Sequence, residues 1–243
     1  MTSIKQIILL ILFCVTICSS SFAKLITEEQ EKYEGSFDVG ATFSNGNSKE
    51  QSIQSNFDFD YHFSKEISNI LKARAENKQQ NEVRTKEEYF INNQTRQNID
   101  KLNFKFAELQ FVSDRFGGFN YRVSETFGLG RRLLNTKKHK ISIQTGIGMR
   151  QSKLINDEKR NSPTLNFGSN INLKINEHVS FEEFLSVSAD NYATIIRSDA
   201  NLKILISKEL YFKFGVLIER TSSVPVGTKN SDVTTGLKLG YEF

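Results

Sequence analysis

Strict alternation of apolar and polar residues recurs along this chain and constrains its fold more than any other feature. The segment 53–63 is an example. Its odd positions include Phe57 and Phe59, and its even positions include Asp58 and Asp60. An alternation with period two places the two sets of side chains on opposite faces of a β-strand. The sequence therefore predicts strands that have one apolar and one polar face.

Twelve such runs can be counted, and no run of helical periodicity competes with them. They span residues 35–45, 50–63, 68–78, 84–97, 102–113, 119–134, 139–152, 163–175, 179–189, 195–206, 209–220 and 232–243. The third and fourth runs are very polar, and the ninth carries Glu183 on its apolar face. Short connections follow the even-numbered runs, and several longer ones follow the odd-numbered runs. This rhythm predicts an up-and-down order with both chain ends on the short-turn side.

The length and composition of the predicted strands favour a membrane barrel. A tilted strand needs roughly 9–11 residues to cross a bilayer, whereas five or six are usual in globular sheets. The polar faces are rich in Asn, Gln, Ser and Gly, and Phe and Tyr lie near the ends of the apolar faces. A sheet in lipid must close on itself because every backbone group needs a partner. We therefore predict an all-β fold, a closed antiparallel up-and-down transmembrane β-barrel of about 12 strands.

A soluble exported β-domain is the alternative fold. In such a domain the apolar faces of the strands would point inward, toward a dry core. Only 38% of the residues are hydrophobic. That fraction is too low for membrane helices, but it suffices for strands that expose only one face to lipid.

The beginning of the chain has the pattern of a secretory signal peptide. A basic start, an apolar run and small residues before Ala23 predict cleavage between Ala23 and Lys24. The apolar run is shorter than the roughly 20 residues of a spanning helix, which disfavours a transmembrane anchor. The predicted division is a signal peptide (1–23), a short N-terminal leader (24–34) and a barrel (35–243).

Composition limits the chemistry that the mature chain can perform. Both cysteines, Cys14 and Cys18, lie in the predicted signal peptide, so no disulfide or cysteine metal ligand would remain. We predict no cofactor and no metal site. Loss of Lys5 with the signal peptide lowers the formal net charge from +4 to +3. Because no basic run with interleaved aromatic residues occurs, nucleic acid is not an expected partner.

The last predicted strand carries apolar residues on one parity to its end. Leu239, Tyr241 and Phe243 share this face. We expect this strand to pair with the first, because that pairing closes the barrel. The segment also resembles the C-terminal signature of bacterial outer-membrane proteins, which the barrel-assembly machinery reads by edge pairing. This resemblance implies the outer membrane of a Gram-negative bacterium as the location, and membrane lipid and that machinery as partners.

Two further segments resemble the family of salt-induced outer-membrane proteins, a domain of unknown function. The first is Gly35–Asn47, with a hairpin turn at Gly46 and Asn47. The second begins with Phe106–Phe116 and continues through Tyr121, Arg122 and Gly128–Gly130. Together with the last strand, the resemblance covers most of residues 35–243. It implies a location and a fold but no activity.

The chain departs from that family at two points. It contains no tryptophan, and Glu125 falls on the parity that would face lipid. A register shift caused by a bulge, or a wrongly placed strand, would explain Glu125.

The inward parity carries charges of both signs. The predicted lumen-facing residues are Asp58, Asp60, His62, Arg150, Lys174, Lys203, Lys213, Lys238 and Glu242. Eight strands leave room only for side chains and sixteen leave an aqueous channel, so twelve is intermediate. Opposite charges in a narrow space attract each other, whereas a charge-ring channel needs one dominant sign. We therefore predict a narrow or occluded pore or an envelope structural protein, with small polar solutes or ions as candidate permeants.

An outer-membrane hydrolase is the alternative function. Asp58, Asp60 and His62 share the inward parity of the second strand, and a histidine oriented by a carboxylate can act as a general base. However, no Gly-x-Ser-x-Gly elbow occurs, and the cluster falls near the short turns. Solvated or ion-paired residues are the simpler interpretation, so we predict no catalytic residues.

Overall fold

In a computed structural model, the chain forms a closed barrel of twelve antiparallel strands. The structure describes residues 32–44, 50–224 and 229–243. The strands are β1 (Lys32–Ser44), β2 (Glu50–His62), β3 (Ile67–Gln80), β4 (Val83–Asn98), β5 (Asn103–Asp114), β6 (Phe119–Asn135), β7 (His139–Leu154), β8 (Lys159–Lys174), β9 (Val179–Ala189), β10 (Thr194–Leu205), β11 (Leu210–Thr221) and β12 (Ser231–Glu242). Each strand pairs with its neighbours in the sequence, and β1 pairs with β12. The predicted fold class and strand number are confirmed.

The observed strand bounds follow the predicted ones with small differences. β1 begins at Lys32, three residues inside the predicted leader, and β8 begins at Lys159 instead of near residue 163. The two very polar runs form β3 and β4, which pair along almost their whole length. The predicted signal peptide, residues 24–31 of the leader and the Gly46–Asn47 turn lie outside the described residues. Within the described ranges, no helix has the length and hydrophobicity to span a membrane.

Alternation along each strand produces two different faces of the barrel wall. In β7, Ile147 and Met149 point outward and are 71% and 43% exposed, whereas Gln144 and Arg150 are buried inside. The other strands repeat this pattern, so the described buried residues are mainly polar or charged. Soluble domains bury their apolar residues instead. The apolar exterior and polar interior therefore argue against the soluble alternative.

The barrel has two distinguishable ends. We call the end that carries Lys32 and Phe243 the terminal end, and the opposite end the loop end. The connections at the terminal end follow the even-numbered strands, and those at the loop end follow the odd-numbered strands. At the loop end, residues 155–158 join β7 to β8, so this connection is shorter than predicted because β8 starts earlier.

Aromatic side chains inside the barrel lie flat over glycines of the neighbouring strand. Phe104 and Tyr211 are fully buried against Gly130 and Gly240, respectively. A Cβ atom at Gly130 would lie 2.1 Å from the Phe104 ring, and one at Gly240 would lie 2.2 Å from the Tyr211 ring. The missing side chain lets each ring cover the bare backbone of its partner strand. These pairs strengthen the wall and narrow the lumen.

Phe243 lies at the seam that closes the barrel. Its backbone exchanges two hydrogen bonds of 2.9 Å with Gly35 of β1. Its ring covers Gly35, where a Cβ atom would approach within 2.4 Å, and stacks on Tyr241 at a centroid distance of 6.4 Å. The β1–β12 ladder runs only from Ser36 to Gly40, whereas the β1–β2 ladder runs along all of β1. The Gly35–Phe243 contact therefore lengthens the shorter of the two ladders.

Glu125 lies exposed on the outer face of β6, opposite Leu109 and Met149. Both explanations considered for it are wrong, because the strand is placed as predicted and its bulges lie near its ends, at 119–121 and 132–134. The physical reason is strand length. β6 has 17 residues, more than the roughly 9–11 that cross a bilayer, and Glu125 lies in its loop-end half. Its carboxylate can therefore reach the polar edge of the apolar band.

The ring–glycine contacts generate a stability prediction. Gly130→Ala should destabilise the barrel by about 1–3 kcal/mol, because the new methyl group overlaps the Phe104 ring and forces it to move. Gly236→Ala is the matched control, since no atom lies within 4 Å of its Cβ position. Urea unfolding of both variants in detergent micelles measures the difference. Equal midpoints for the two variants would contradict this account of the wall.

Candidate functional site

The interior of the barrel contains two cavities separated by a partition. The terminal-end cavity has a volume of about 440 Å³, and the loop-end cavity a volume of about 850 Å³. Phe90, Glu108, Phe184 and Arg197 border both cavities. These side chains therefore mark the level at which the lumen is divided.

The partition contains a network of three cations and three carboxylates. Its members are Arg74, Lys86, Arg197, Glu76, Glu88 and Glu219. Arg74 pairs with Glu88 on the adjacent strand and reaches Glu219 across the barrel at 3.4 Å. Lys86 makes a similar contact to Glu219 at 3.3 Å. The network thus joins β3 and β4 to the opposite wall.

Strand register places carboxylates of the network next to each other, so cations must offset their repulsion. Glu76 of β3 lies directly opposite Glu88 of β4, and like charges at such a pair destabilise a sheet. Lys86 lies 3.2 Å from Glu76 and 3.4 Å from Glu88, so one ammonium group bridges both carboxylates. Arg197 pairs with Glu219 on the neighbouring strand β11. Each carboxylate of the network therefore has a cation within reach.

Aromatic rings supply the bulk of the partition. The Phe90 ring is buried, with the guanidinium of Arg197 4.8 Å from its centroid and that of Arg74 at 5.7 Å. Lys72 lies 5.1 Å from the centroid of Phe184, the second ring at this level. Cations over ring faces are attracted by the π-electrons, which holds the rings in the lumen.

A second cluster lies in the wall of the terminal-end cavity around Asp38. This carboxylate is almost completely buried and accepts hydrogen bonds from Asn56 and from the hydroxyl of Tyr211 at 3.2 Å. Lys213 lies 3.1 Å from the same carboxylate and 3.7 Å from Glu182. The donors converge on one buried anion and satisfy it, as buried charges require.

The structure places most of the residues predicted to face the lumen along the cavities. Asp58, Asp60, Lys203, Lys213, Lys238 and Glu242 line the terminal-end cavity, and Arg150 lines the loop-end cavity. Lys203 pairs with Glu242, and Asp58 lies 4.0 Å from Lys72. His62 and Lys174 lie exposed at the terminal end and do not border either cavity.

The arrangement does not assemble the Asp–His site considered for hydrolysis. In the described part of the chain, no hydrogen bond or ion pair joins His62 to Asp58 or Asp60. The catalytic alternative therefore lacks the oriented base that it requires. Within the same described residues, no three His, Cys, Asp or Glu side chains form a cluster that could hold a metal ion.

Sequence reasoning missed the partition network. Its β3 and β4 members lie in the two runs that were noted only as very polar, although Arg74 and Glu76 share one parity, as do Lys86 and Glu88. These spacings predict inward charges of both signs. The contacts across the barrel to Glu219 depend on closure and register, which the local sequence does not contain.

Comparisons with known proteins agree with the fold. The sequence matches the family described as "Protein of unknown function, DUF481" over residues 37–243. The uncharacterized protein YdiY of Escherichia coli (strain K12) is 23% identical over 215 residues, which cover 88% of this chain and 84% of YdiY. An outer membrane channel from Pseudomonas putida F1 has a TM-score of 0.51 at 6% identity, covering 90% of this chain and 97% of the channel. The translocator domain of the autotransporter NalP from Neisseria meningitidis has a TM-score of 0.48 at 7% identity, with coverages of 96% and 94%.

The partition network generates a second stability prediction. Arg74→Ala should destabilise the barrel by roughly 3 kcal/mol, because it leaves buried carboxylates without their main counter-ion. Arg115→Ala is the control, since Arg115 lies outside the partition and its side chain is mostly exposed, and exposed ion pairs such as Arg115–Glu87 contribute at most about 1 kcal/mol. Urea midpoints in micelles compare the two variants. An equal or smaller loss of stability for Arg74→Ala than for Arg115→Ala would show that the network does not hold the walls together.

Proposed function

We propose that this chain, which belongs to the DUF481 family of proteins of unknown function, is an outer-membrane barrel with a narrow, occluded lumen. The central partition carries the proposal. Arg74 is nearly inaccessible to solvent, and it joins opposite walls through Glu88 and Glu219. A permeating solute would have to separate these groups or pass beside them.

The charge balance of the partition supports an occluded rather than a selective pore. Three cations and three carboxylates neutralise each other, so a permeating ion finds no ring of one sign to attract it. In the partly dehydrated lumen, the mutual attraction of these groups is stronger than it would be in water. Ion passage requires that this attraction be broken, which makes conduction slow.

The exterior supports an outer-membrane location. Apolar side chains surround the barrel, and aromatic residues such as Tyr61, Tyr241 and Phe243 lie toward the terminal end, as in an interfacial girdle. The short connections at this end suit the periplasmic side, so the loop end faces the exterior. In this position, a closed barrel whose walls are joined by ion pairs contributes to the envelope mainly as a stable structural element.

Single-channel recording in a planar bilayer tests the occluded lumen. The wild type should show no large, stable steps. Arg197→Ser combined with Glu219→Ser removes one ion pair without a change in net charge and opens space beside the partition, so conductance should rise several-fold. The control is Glu158→Ser with Arg160→Ser, an ion pair at the loop end outside the partition, which should leave conductance unchanged.

Three outcomes would contradict this proposal. Large, stable steps from the wild type would make the protein an open porin. If neither the wild type nor the partition variant shows any conductance, the function would instead be a purely structural or interaction role. A rise in conductance for the control pair alone would place the constriction in the loops instead of the partition.

The proposed location generates a further prediction. Deleting Phe243 should reduce assembly in cells severalfold, because it removes both backbone hydrogen bonds to Gly35 and the ring that covers it. The loss also affects the strand that the barrel-assembly machinery is expected to read. Fractionation and heat-modifiable mobility on gels measure the folded barrel in the outer membrane. Recovery of the wild type in the soluble periplasmic fraction would refute the proposed location.

A further inference from the structure

A third cavity of about 250 Å³ lies at the loop end, separate from the partition. Its described lining includes residues of the connections that follow β5, β9 and β11, together with the loop-end residues of β7 and β8. The polar side chains in its described lining include Arg122, Arg150, Arg160, Ser152, Asp190 and Tyr192. Three guanidinium groups therefore border a small cavity together with one carboxylate.

Two of the three arginines are neutralised by carboxylates. Arg150 donates a hydrogen bond of 2.7 Å to Asp190 and a second one to the hydroxyl of Ser188. Arg160 donates a 2.7 Å hydrogen bond to Glu158. That bond holds the pKa of Glu158 below its ordinary value, so the carboxylate stays ionised at neutral pH and balances Arg160.

Arg122 has no such partner among the residues that the structure describes. Its guanidinium carbon lies over the buried Phe119 ring, 3.6 Å from the centroid, and no described carboxylate is within salt-bridge distance. Stacking on the ring leaves the in-plane N–H donors of the guanidinium available. The segment 225–228, outside the described ranges, contains no acidic residue in its sequence. Asp114 and Asp190 attract Arg122 only from beyond salt-bridge distance, and Asp190 is already paired with Arg150. Among the described residues, Arg122 is therefore the arginine of this cavity that no carboxylate pairs with directly.

We propose that this loop-end cavity binds a small oxyanion, a carboxylate or a phosphate, through Arg122. The guanidinium fork matches the geometry of two oxygen atoms, and ion-assisted hydrogen bonds are about twice as strong as neutral ones. Arg150 borders the same cavity and is held in place by Asp190, whereas the Tyr192 ring, 5.0 Å from the guanidinium of Arg160, closes another side. The site does not depend on whether the lumen conducts.

The direct test is calorimetric titration of the purified barrel in detergent micelles with inorganic phosphate and, separately, with the sugar carboxylate glucuronate. We expect the wild type to bind at least one of them at millimolar concentration or below. Arg122→Gln should weaken binding by at least about tenfold, because it removes the cation that no described carboxylate pairs with directly. Arg122→Lys should retain part of the affinity, since it keeps the charge but not the fork.

The matched control is Arg115→Gln, which changes an exposed loop-end arginine that lies 3.4 Å from Glu87 and outside this cavity. It should bind like the wild type. The heat-modifiable mobility of each variant shows that the barrel is folded. Absence of binding to the wild type for both anions up to about 10 mM, or equal binding by wild type and Arg122→Gln, overturns the proposal.

A competition experiment identifies the source of the anion. If the occupant is the phosphorylated headgroup of a lipid, lipopolysaccharide micelles should displace inorganic phosphate from the wild type. If the occupant is a free solute, phosphate or glucuronate should bind without competition from these micelles. Both results depend on Arg122 and support the site. Because the titration needs no bilayer, its failure is distinguishable from a failure of the conductance experiment.

Discussion

Closure of the sheet between β1 and β12 is the constraint on which the rest of this structure depends. Once the first and last strands are paired, the ladders on both sides of every strand are fixed. A shift of one residue would then turn a whole strand inside out. The alternation of each strand therefore sorts the chain into an apolar exterior and a polar interior, with no edge left unpaired. The contact between Gly35 and Phe243 belongs to this seam, so its importance is global rather than local.

The interior that results is narrow enough for long side chains to meet across it. Arg74 and Lys86 of β3 and β4 reach Glu219 of β11, although these residues are far apart in the sequence. Removing any one of them leaves charges of one sign in a confined space, which is more costly than losing an exposed ion pair. The same narrowness explains the aromatic rings that lie over glycines such as Gly130. Wall stability and the proposed occlusion of the lumen therefore have the same cause.

The sequence allowed the strands and their faces to be predicted because period-two alternation is a local signal. Even the polar β3 and β4 were located. Parity also placed Glu125 outward, but the two explanations offered for that position were wrong. The partition could not be predicted, because contacts such as Arg74–Glu219 arise from register around the barrel. His62 shows where prediction from parity fails. It shares the inward parity with Asp60, yet it lies at the exposed end of β2, where parity no longer determines the surroundings.

The two ends of the lumen differ in how completely their charges are balanced. In the partition network, three cations and three carboxylates pair with each other, and their contacts join separate walls of the barrel. At the loop end, Arg122 lies over Phe119 with no described carboxylate within salt-bridge distance, although nearby Arg150 and Arg160 each have one. A half-buried cation is costly unless an anion completes its surroundings. The proposed anion binding and the proposed occlusion thus lie at different levels of the barrel, and an anion held at the loop end need not pass through the partition.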